Sequence, residues 1–188
     1  MSKKIFKLDG SSLVEIRRLW SIDQYVVSEH FMRLDTSTLN MRFGGGVSKT
    51  FAKRYADRVL ALDTVVYGAF VDGELRGLGE IRSLPDAKQL SAEAAFTIEA
   101  PFQNKGIGSA LLEQLVVAAQ VRRVKLLYMV WLPNNEKMQH IALKHSAKLR
   151  FQPLQTEATI YPRWPKCSTI IKELFDEAIG YVNYSRHW

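Results

Sequence analysis

The sequence predicts an α/β fold: a mixed, mostly antiparallel twisted sheet with helices on both faces and one parallel βαβ crossover. Three observations carry this expectation. Residues 64–71 are β-branched and aromatic, and Asp72-Gly73 after them is a hairpin turn into a second extended run at 74–82. An extended segment at 92–98 leads through a glycine-bearing loop into an amphipathic helix and then an apolar run at 125–131. Two strands joined through a helix in one sheet form a right-handed parallel crossover. Finally, the 188 residues are 47% hydrophobic and 24% charged, ordinary globular usage that supplies one sizeable core and excludes disorder or low-complexity architecture.

The elements follow in order. A short apolar stretch at 4–8 precedes Asp9 and Ser11, either of which can cap a helix whose apolar positions Leu13, Ile16, Leu19 and Trp20 recur at helical spacing, continuing with a break to Leu34. The tract Met41-Arg42-Phe43-Gly44-Gly45-Gly46 reads as a glycine turn, and Ser48 caps the next helix, with Phe51, Tyr55 and Val59 four residues apart. The hairpin comes next, then a loop at 85–90 and the strand 92–98, stopped by Pro101. A helix over 108–121, a strand at 125–131, a helix over 135–147 and extended pieces at 149–151 and 157–161 complete this part. Ser168 can cap a last helix bearing Ile170, Ile171, Leu174, Phe175, Ala178 and Ile179, stopped by Gly180. Its apolar stripe is to be buried on its own domain or against a second copy in a homodimer.

No apolar run approaches the roughly 20 residues of a membrane helix, and Met1-Ser2-Lys3-Lys4 has no apolar segment behind it, so neither insertion nor secretion is expected. Cys167 is the only cysteine, which excludes an intramolecular disulfide and a cysteine-built zinc site and points to a reducing cytoplasm. The net charge of +7 favours acidic or phosphate-bearing partners. Its charges are scattered rather than blocked, so nucleic acid is not the favoured one. His140 and His145, five apart on a helix, do not share a face and make a poor metal pair, and no metal is expected.

The most informative stretch is Gln103-Asn104-Lys105-Gly106-Ile107-Gly108-Ser109, between a strand and a helix. Glycines at 106 and 108 remove side chains that block close backbone approach, and successive amides at a helix N-terminus face an anion with the positive end of the helix dipole. A Rossmann fingerprint would need a third glycine after the first strand of the chain and an acidic residue about 20 positions on, and a Walker loop would need Gly-Lys-Ser/Thr; Gly108-Ser109-Ala110 satisfies neither.

The pattern Gln-x-x-Gly-x-Gly after a strand and opening a helix, within AEAAFTIEAPFQNKGIGSALLEQL and followed by NEKM, with MRF upstream, resembles the GNAT superfamily of acyl-CoA N-acetyltransferases. In pattern it is most similar to the bacterial protein lysine acetyltransferase branch. The resemblance runs from about Ile5 to Tyr161, which divides the chain into an acetyltransferase domain at 1–162 and a C-terminal helical extension at 163–188. It implies the GNAT fold and acetyl-CoA as co-substrate, with the backbone of Phe96, Thr97 and Ile98 along the pantetheine arm. It further implies that the amides of Gln103, Asn104, Lys105, Gly106, Ile107, Gly108 and Ser109 wrap the pyrophosphate. Asn135 stands at the family's helix-start asparagine, as a pantetheine ligand or a plain N-cap, with Asn134 competing for the cap.

Transfer to an amine requires an alkylammonium to lose a proton before its nitrogen attacks. Glu93 matches the glutamate of the family branch and is the first candidate base; strand alternation puts Glu93, Ala95 and Thr97 on one face and Ala94, Phe96 and Ile98 on the other. Glu80, in the neighbouring hairpin strand, is the competing base, acting through a water. The resemblance gives the amide of Ile98 to the oxyanion. The tyrosine that many relatives use to protonate the leaving thiolate is replaced by Ala142, leaving Tyr128 as a substitute only if it reaches the cleft. The family's Gly-Phe after the last helix is Ser146-Ala147 here. Met41-Arg42-Phe43 is a candidate acceptor contact or a simple anchored turn. Arg122, Arg123 and Lys125 are candidates for an adenosine phosphate or a solvated face, and Trp164, Pro165 and Trp188 for a C-terminal lid. The acceptor implied is a protein lysine, with a small amine or amino acid as the alternative. A silent acyl-CoA-binding module and a basic partner-binding protein are the readings from other classes.

Overall fold

In a computed structural model the protein is described at residues 4–8, 12–60, 64–85, 87 and 89–163. The predicted C-terminal helix, the tryptophan lid and the caps Asp9 and Ser11 lie outside these residues. One eight-stranded sheet runs through the structure in the order β1-β2-β3-β4-β5-β6-β8-β7. Its strands are β1 (Lys4–Leu8), β2 (Ser12–Arg18), β3 (Thr64–Val71), β4 (Glu74–Leu84), β5 (Ser91–Ile98), β6 (Leu126–Trp131), β7 (Lys148–Phe151) and β8 (Thr156–Ile160). The helices are α1 (Gln24–Arg33), α2 (Thr36–Phe43), α3 (Lys49–Val59), α4 (Ile107–Val121) and α5 (Glu136–Lys144). All paired strands are antiparallel except β5 and β6, joined through α4.

The mixed sheet and its crossover agree with the expectation, but the opening helix does not. Residues 12–18 form a strand between β1 and β3. The apolar residues there satisfy two periods at once, and the period of two wins: Val14 and Ile16 are fully buried, whereas Leu13 is 45% exposed. The helix begins only at Gln24, after Asp23 turns back to accept from the Trp20 N–H at 2.9 Å and to pair with Arg17 at 2.7 Å. A second difference concerns Met41-Arg42-Phe43, read as part of a glycine turn and found in the helix Thr36–Phe43. Asp35 caps it by accepting from the Thr38 N–H, and Gly44, at φ 74°, closes it in the left-handed region. Met41-Arg42-Phe43 is therefore the last turn of α2.

The two faces of the sheet carry separate cores. On one, α4 packs Leu111, Leu112 and Leu115 against β3, β4 and β5, with Ala92 and Ala94 of β5 and Leu127 and Met129 of β6 beneath. A Cβ on Gly79 would stand 3.2 Å from Phe96 and 3.3 Å from Leu115, so this glycine lets the helix sit close to the sheet. On the other, α1 and α3 close Val27, Phe31, Ala52 and Ala56 over Val66, Leu75 and Leu78. At the end of α5 the left-handed position a glycine usually fills is taken by Ser146, at φ 58°, and Ala147 behind it is buried.

Candidate active site

The cleft comes from a parting of the sheet. β5 pairs with β6 only at Ser91, Ala92 and Glu93, opposite Leu126, Leu127 and Tyr128. From there β6 stays with β8, while β5 continues to Ile98 with β4 alone. The β6-facing edge of residues 94–98 is thus an unpaired strand edge, ready to pair with an extended ligand. A cleft of about 960 Å³ opens over it, walled by Ser37, Thr38, Met41 and Arg42 of α2 on one side and by α5 on the other. That volume suits a large extended cofactor.

At the head of the cleft stands the glycine loop. The first intrahelical bond of α4 runs from the Ala110 N–H to the Gly106 carbonyl, which leaves the amides of Ile107, Gly108 and Ser109 at the open helix end. Asn104 at φ 59° and Gly106 at φ 82° turn the preceding chain. The Gln103 N–H is instead bonded to the Ala100 carbonyl, so it does not join the expected cradle. The Gln103 side chain donates to the Ile98 carbonyl at 2.9 Å and accepts from Lys137 at 2.7 Å, pinning the loop to β5 and α5. Lys105 sits beside the ring of Phe102. Of the two glycines, 106 has open space where a Cβ would be; a Cβ on 108 would lie 2.7 Å from Ile141 and 3.2 Å from Ile98. The first serves the loop and the second serves packing. Ser109 meets Nε2 of His145 at 3.3 Å. Arg122, Arg123 and Lys125 follow the far end of α4, about 22 Å from the loop at 1.5 Å per residue.

Asn135 caps α5 by accepting from the Met138 N–H at 3.2 Å. Ala142 is fully buried in the core. Tyr128 stands opposite Glu93 in the β5–β6 register, half-buried, and is not among the residues lining the cleft.

Alternation along β5 is as expected. Ala94, Phe96 and Ile98 pack toward α4, and Glu93, Ala95 and Thr97 face the α1–α3 side. Glu93, half-buried, lines the cleft where β6 departs, with no hydrogen bond to its carboxylate among the described residues. Glu80, on the same face of β4, is only 3% exposed and does not line the cleft. Its Oε1 accepts from both Arg42 and Tyr55, and its Oε2 is enclosed without a hydrogen-bond partner among the described residues. Arg42 also reaches the Tyr55 hydroxyl at 2.8 Å and stacks on Phe43, so Glu80 fixes a side chain of the cleft wall. Burial chiefly raises the Tyr55 hydroxyl well above its usual range, and Glu80 adds to this, so it remains a donor.

Sequence reasoning missed one cluster under the cleft floor. His30 of α1 is fully buried, with Nδ1 3.1 Å from Oε1 of Glu99 and Nε2 2.9 Å from the Thr97 hydroxyl. Glu99 also accepts from Arg33 and Arg76, each at 2.9 Å. The available signal was His30 on the apolar side of a helix beside Phe31, with Glu99 two residues past Thr97. Burial holds the imidazole below its ordinary value, against the pull of Glu99. For Glu99, burial pushes upward, but hydrogen bonds from His30, Arg33 and Arg76 outweigh it and hold the carboxyl below its usual value. In both cases the unfolded chain binds protons more readily, so stability rises with pH. The contribution of His30 is complete above about 6.5, its unfolded value, and is lost below it. That of Glu99 is complete above about 4.5 and is lost on further acidification. Melting temperatures measured from pH 8 to pH 4 are expected to fall first below about pH 6.5. The His30→Gln variant should show a smaller first fall, the remainder coming from His145, whose imidazole burial likewise holds below its ordinary value.

The family profile described as acetyltransferase (GNAT) family matches residues 36–147, more than half of the chain. Among curated proteins none matches. Among solved structures, the GNAT domain of S. lividans PAT is 20% identical with a TM-score of 0.68, over 85% of this chain and 96% of that one. The ribosomal-protein-S5-alanine acetyltransferase of Vibrio fischeri is 11% identical, TM-score 0.64, over 87% of this chain and 100% of that one. The ribosomal L7/L12 alpha-N-protein acetyltransferase RimL, in complex with coenzyme A, is 12% identical, TM-score 0.62, over 84% and 98%. At these identities the structures share the fold. The splayed strands, the amide loop and the matched profile converge: the chain belongs to the GNAT acetyltransferase family and is an acetyl-CoA-dependent N-acetyltransferase.

Proposed function

We propose that the protein acetylates the ε-amine of a protein lysine, as a relative of the bacterial protein lysine acetyltransferases, with Glu93 as the general base. The observation that carries this is the position of Glu93: a carboxylate without a partner among the described residues, lining the cleft at the point where β6 leaves β5. An ammonium arriving between α2 and β5 gives it a proton, and the neutral nitrogen is then free to attack. Bound acetyl-CoA supplies the thioester carbonyl as electrophile. The backbone of Phe96, Thr97 and Ile98 offers the unpaired edge for the pantetheine arm, and the Ile98 amide the donor for the oxyanion. The amides of Asn104, Lys105, Gly106, Ile107, Gly108 and Ser109 face the pyrophosphate, with Gln103 bracing the loop from behind. Asn135 starts α5, whose Lys137 lines the same cleft. Ala142 is buried and Tyr128 does not line the cleft, so neither of these two positions gives the leaving thiolate a side-chain acid. The names of two neighbours fit a protein acceptor, since the two ribosomal-protein enzymes stand among them.

The test begins with thermal unfolding. At 100 times its dissociation constant a ligand of the native state adds about 2.7 kcal/mol, a rise of roughly 5–10 °C for a chain of this size. Acetyl-CoA is expected to produce that rise. Mass spectrometry of lysine-containing peptides and of small amines then follows the acetyl group. Transfer to free amino acids in preference to peptides would overturn the protein-lysine assignment.

A further inference from the structure

We infer that His30 is a positioning residue for the transfer step: its ring grips the side chains of Thr97 and Glu99 and so holds the peptide N–H of Ile98, the residue between them, toward the open edge of β5. The inference rests on the reading above for the use of that amide, and adds the part of the molecule that aims it.

The direction of the amide follows from the ladder. Glu99 donates its N–H to the Arg76 carbonyl, on the β4 side, at 3.0 Å. Amides of successive strand residues point to opposite edges, so the Ile98 N–H faces away from β4, toward the cleft, where β6 has already departed. The Ile98 carbonyl points the same way and accepts from the Gln103 side chain at 2.9 Å. No strand pairs with Ile98 on that side among the described residues. The ladder therefore secures one edge of this stretch and leaves the aim of the Ile98 peptide to other contacts.

His30 supplies them. Thr97 and Glu99 flank Ile98, and both side chains lie on the α1 face. The fully buried ring meets the two at once, Nδ1 3.1 Å from Oε1 of Glu99 and Nε2 2.9 Å from the Thr97 hydroxyl. The carboxylate only accepts, so Nδ1 carries the ring proton, and Nε2 of the neutral ring takes the Thr97 hydroxyl proton. Burial keeps the ring neutral by holding it below its ordinary value. The charged groups facing His30 are Glu99, Arg33 of α1 and Arg76 of β4. Both arginines donate to Glu99 at 2.9 Å, and Arg33 also reaches the Leu75 carbonyl at 2.7 Å. Helix α1, β4 and the end of β5 are thus tied at one point. A leucine would fill the place of His30 without the cost of taking a polar ring out of water. What leucine cannot do is bond to residues on both sides of Ile98. That double grip restrains the peptide between them, which is what an oxyanion donor aimed before the charge develops requires.

The experiment joins kinetics, with a lysine peptide as acceptor, to the infrared stretch of acetyl-CoA isotope-labelled at its acetyl carbonyl and bound to the full chain. A hydrogen bond from the Ile98 N–H lowers that stretch relative to free acetyl-CoA. Thr97→Val keeps the shape of the side chain and deletes its bond to His30. It is expected to lower kcat about tenfold, part of the roughly 10²- to 10³-fold that loss of a whole oxyanion donor costs, and to remove much of the infrared shift while KM for acetyl-CoA stays within about twofold. Thr97→Ser should restore both quantities. His30→Leu should lower both, and adding Thr97→Val to it should cost no further kcat, because Thr97 acts through His30. Thr97→Val, close in shape to the native residue, decides the matter if His30→Leu does not fold. A parent that shows the shift, with a Thr97→Val variant that keeps both shift and kcat, would overturn the inference and leave the amide assignment standing. A loss that Thr97→Ser fails to restore would mark a packing role and also overturn it. No shift in the parent would instead defeat the assignment of the Ile98 amide to the carbonyl, and the positioning role would fall with it.

Discussion

Glu93→Gln is expected to lower kcat by 10²- to 10⁴-fold, the range that a positioned general base contributes, with the melting temperature and the acetyl-CoA-induced rise both retained. The second half of that expectation follows from the surroundings. Glu93 is half-buried, makes no internal hydrogen bond among the described residues and lies at the edge of the cleft, so an isosteric amide breaks nothing that holds the fold. Glu80→Gln should behave in the opposite way. Glu80 is buried and holds Arg42 and Tyr55, so neutralising it leaves the Arg42 charge unpaired in a largely enclosed site and lowers the melting temperature. Its kinetic effect should reach KM for the acceptor through the displaced Arg42. The two variants measured side by side separate a proton acceptor from a positioning group. An unchanged kcat in Glu93→Gln would remove the base assignment, and a loss of kcat in Glu80→Gln at unchanged stability would transfer it to Glu80.

The sequence carried the crossover, its loop and the hairpin because each depends on local chemistry. Asp72-Gly73 turns a hairpin, and Gly106 admits a backbone turn at φ 82° wherever it sits. The first strand pair was obscured because Leu13, Ile16, Leu19 and Trp20 also satisfy a helical period. Only the neighbours that bury Val14 and Ile16 decide between the two readings, and β3, a partner of β2, arrives some fifty residues later. Helix α2 is signalled by Asp35 as a cap and Gly44 as a stop, but the three consecutive glycines after Phe43 are an equally strong local signal for a turn. The same division applies to the site. Alternation along β5 correctly separated Glu93 from Phe96. It could not show that Glu80 would be tied to Arg42 and Tyr55, or that His30 would reach Thr97 from 67 positions away. Those contacts exist only once α1, α2 and α3 close over the sheet.

The two loop glycines are expected to fail differently when replaced. Gly106 adopts φ 82°, a conformation that a β-branched residue occupies only under strain, and no atom stands within 4 Å of the place its Cβ would take. Gly106→Val therefore twists the loop out of its present path and turns the amides after it away from the helix end. Coenzyme A affinity should fall at least 100-fold, about 2.7 kcal/mol, and the acetyl-CoA-induced rise in melting temperature should disappear. Gly108 has no such backbone requirement, but a methyl group there meets Ile141 at 2.7 Å and Ile98 at 3.2 Å. Both contacts are the ends of flexible side chains, so Gly108→Ala is accommodated by a shift of Ile141 and a looser junction of α4 with α5. The unliganded protein should melt at a lower temperature, while most of the acetyl-CoA-induced rise remains. Scanning the two variants with and without acetyl-CoA checks both statements. A rise retained in Gly106→Val would mean that the anion is held by side chains such as Lys105 and Lys137 rather than by the helix-end amides, because a loop that no longer aims its N–H groups cannot otherwise keep its ligand.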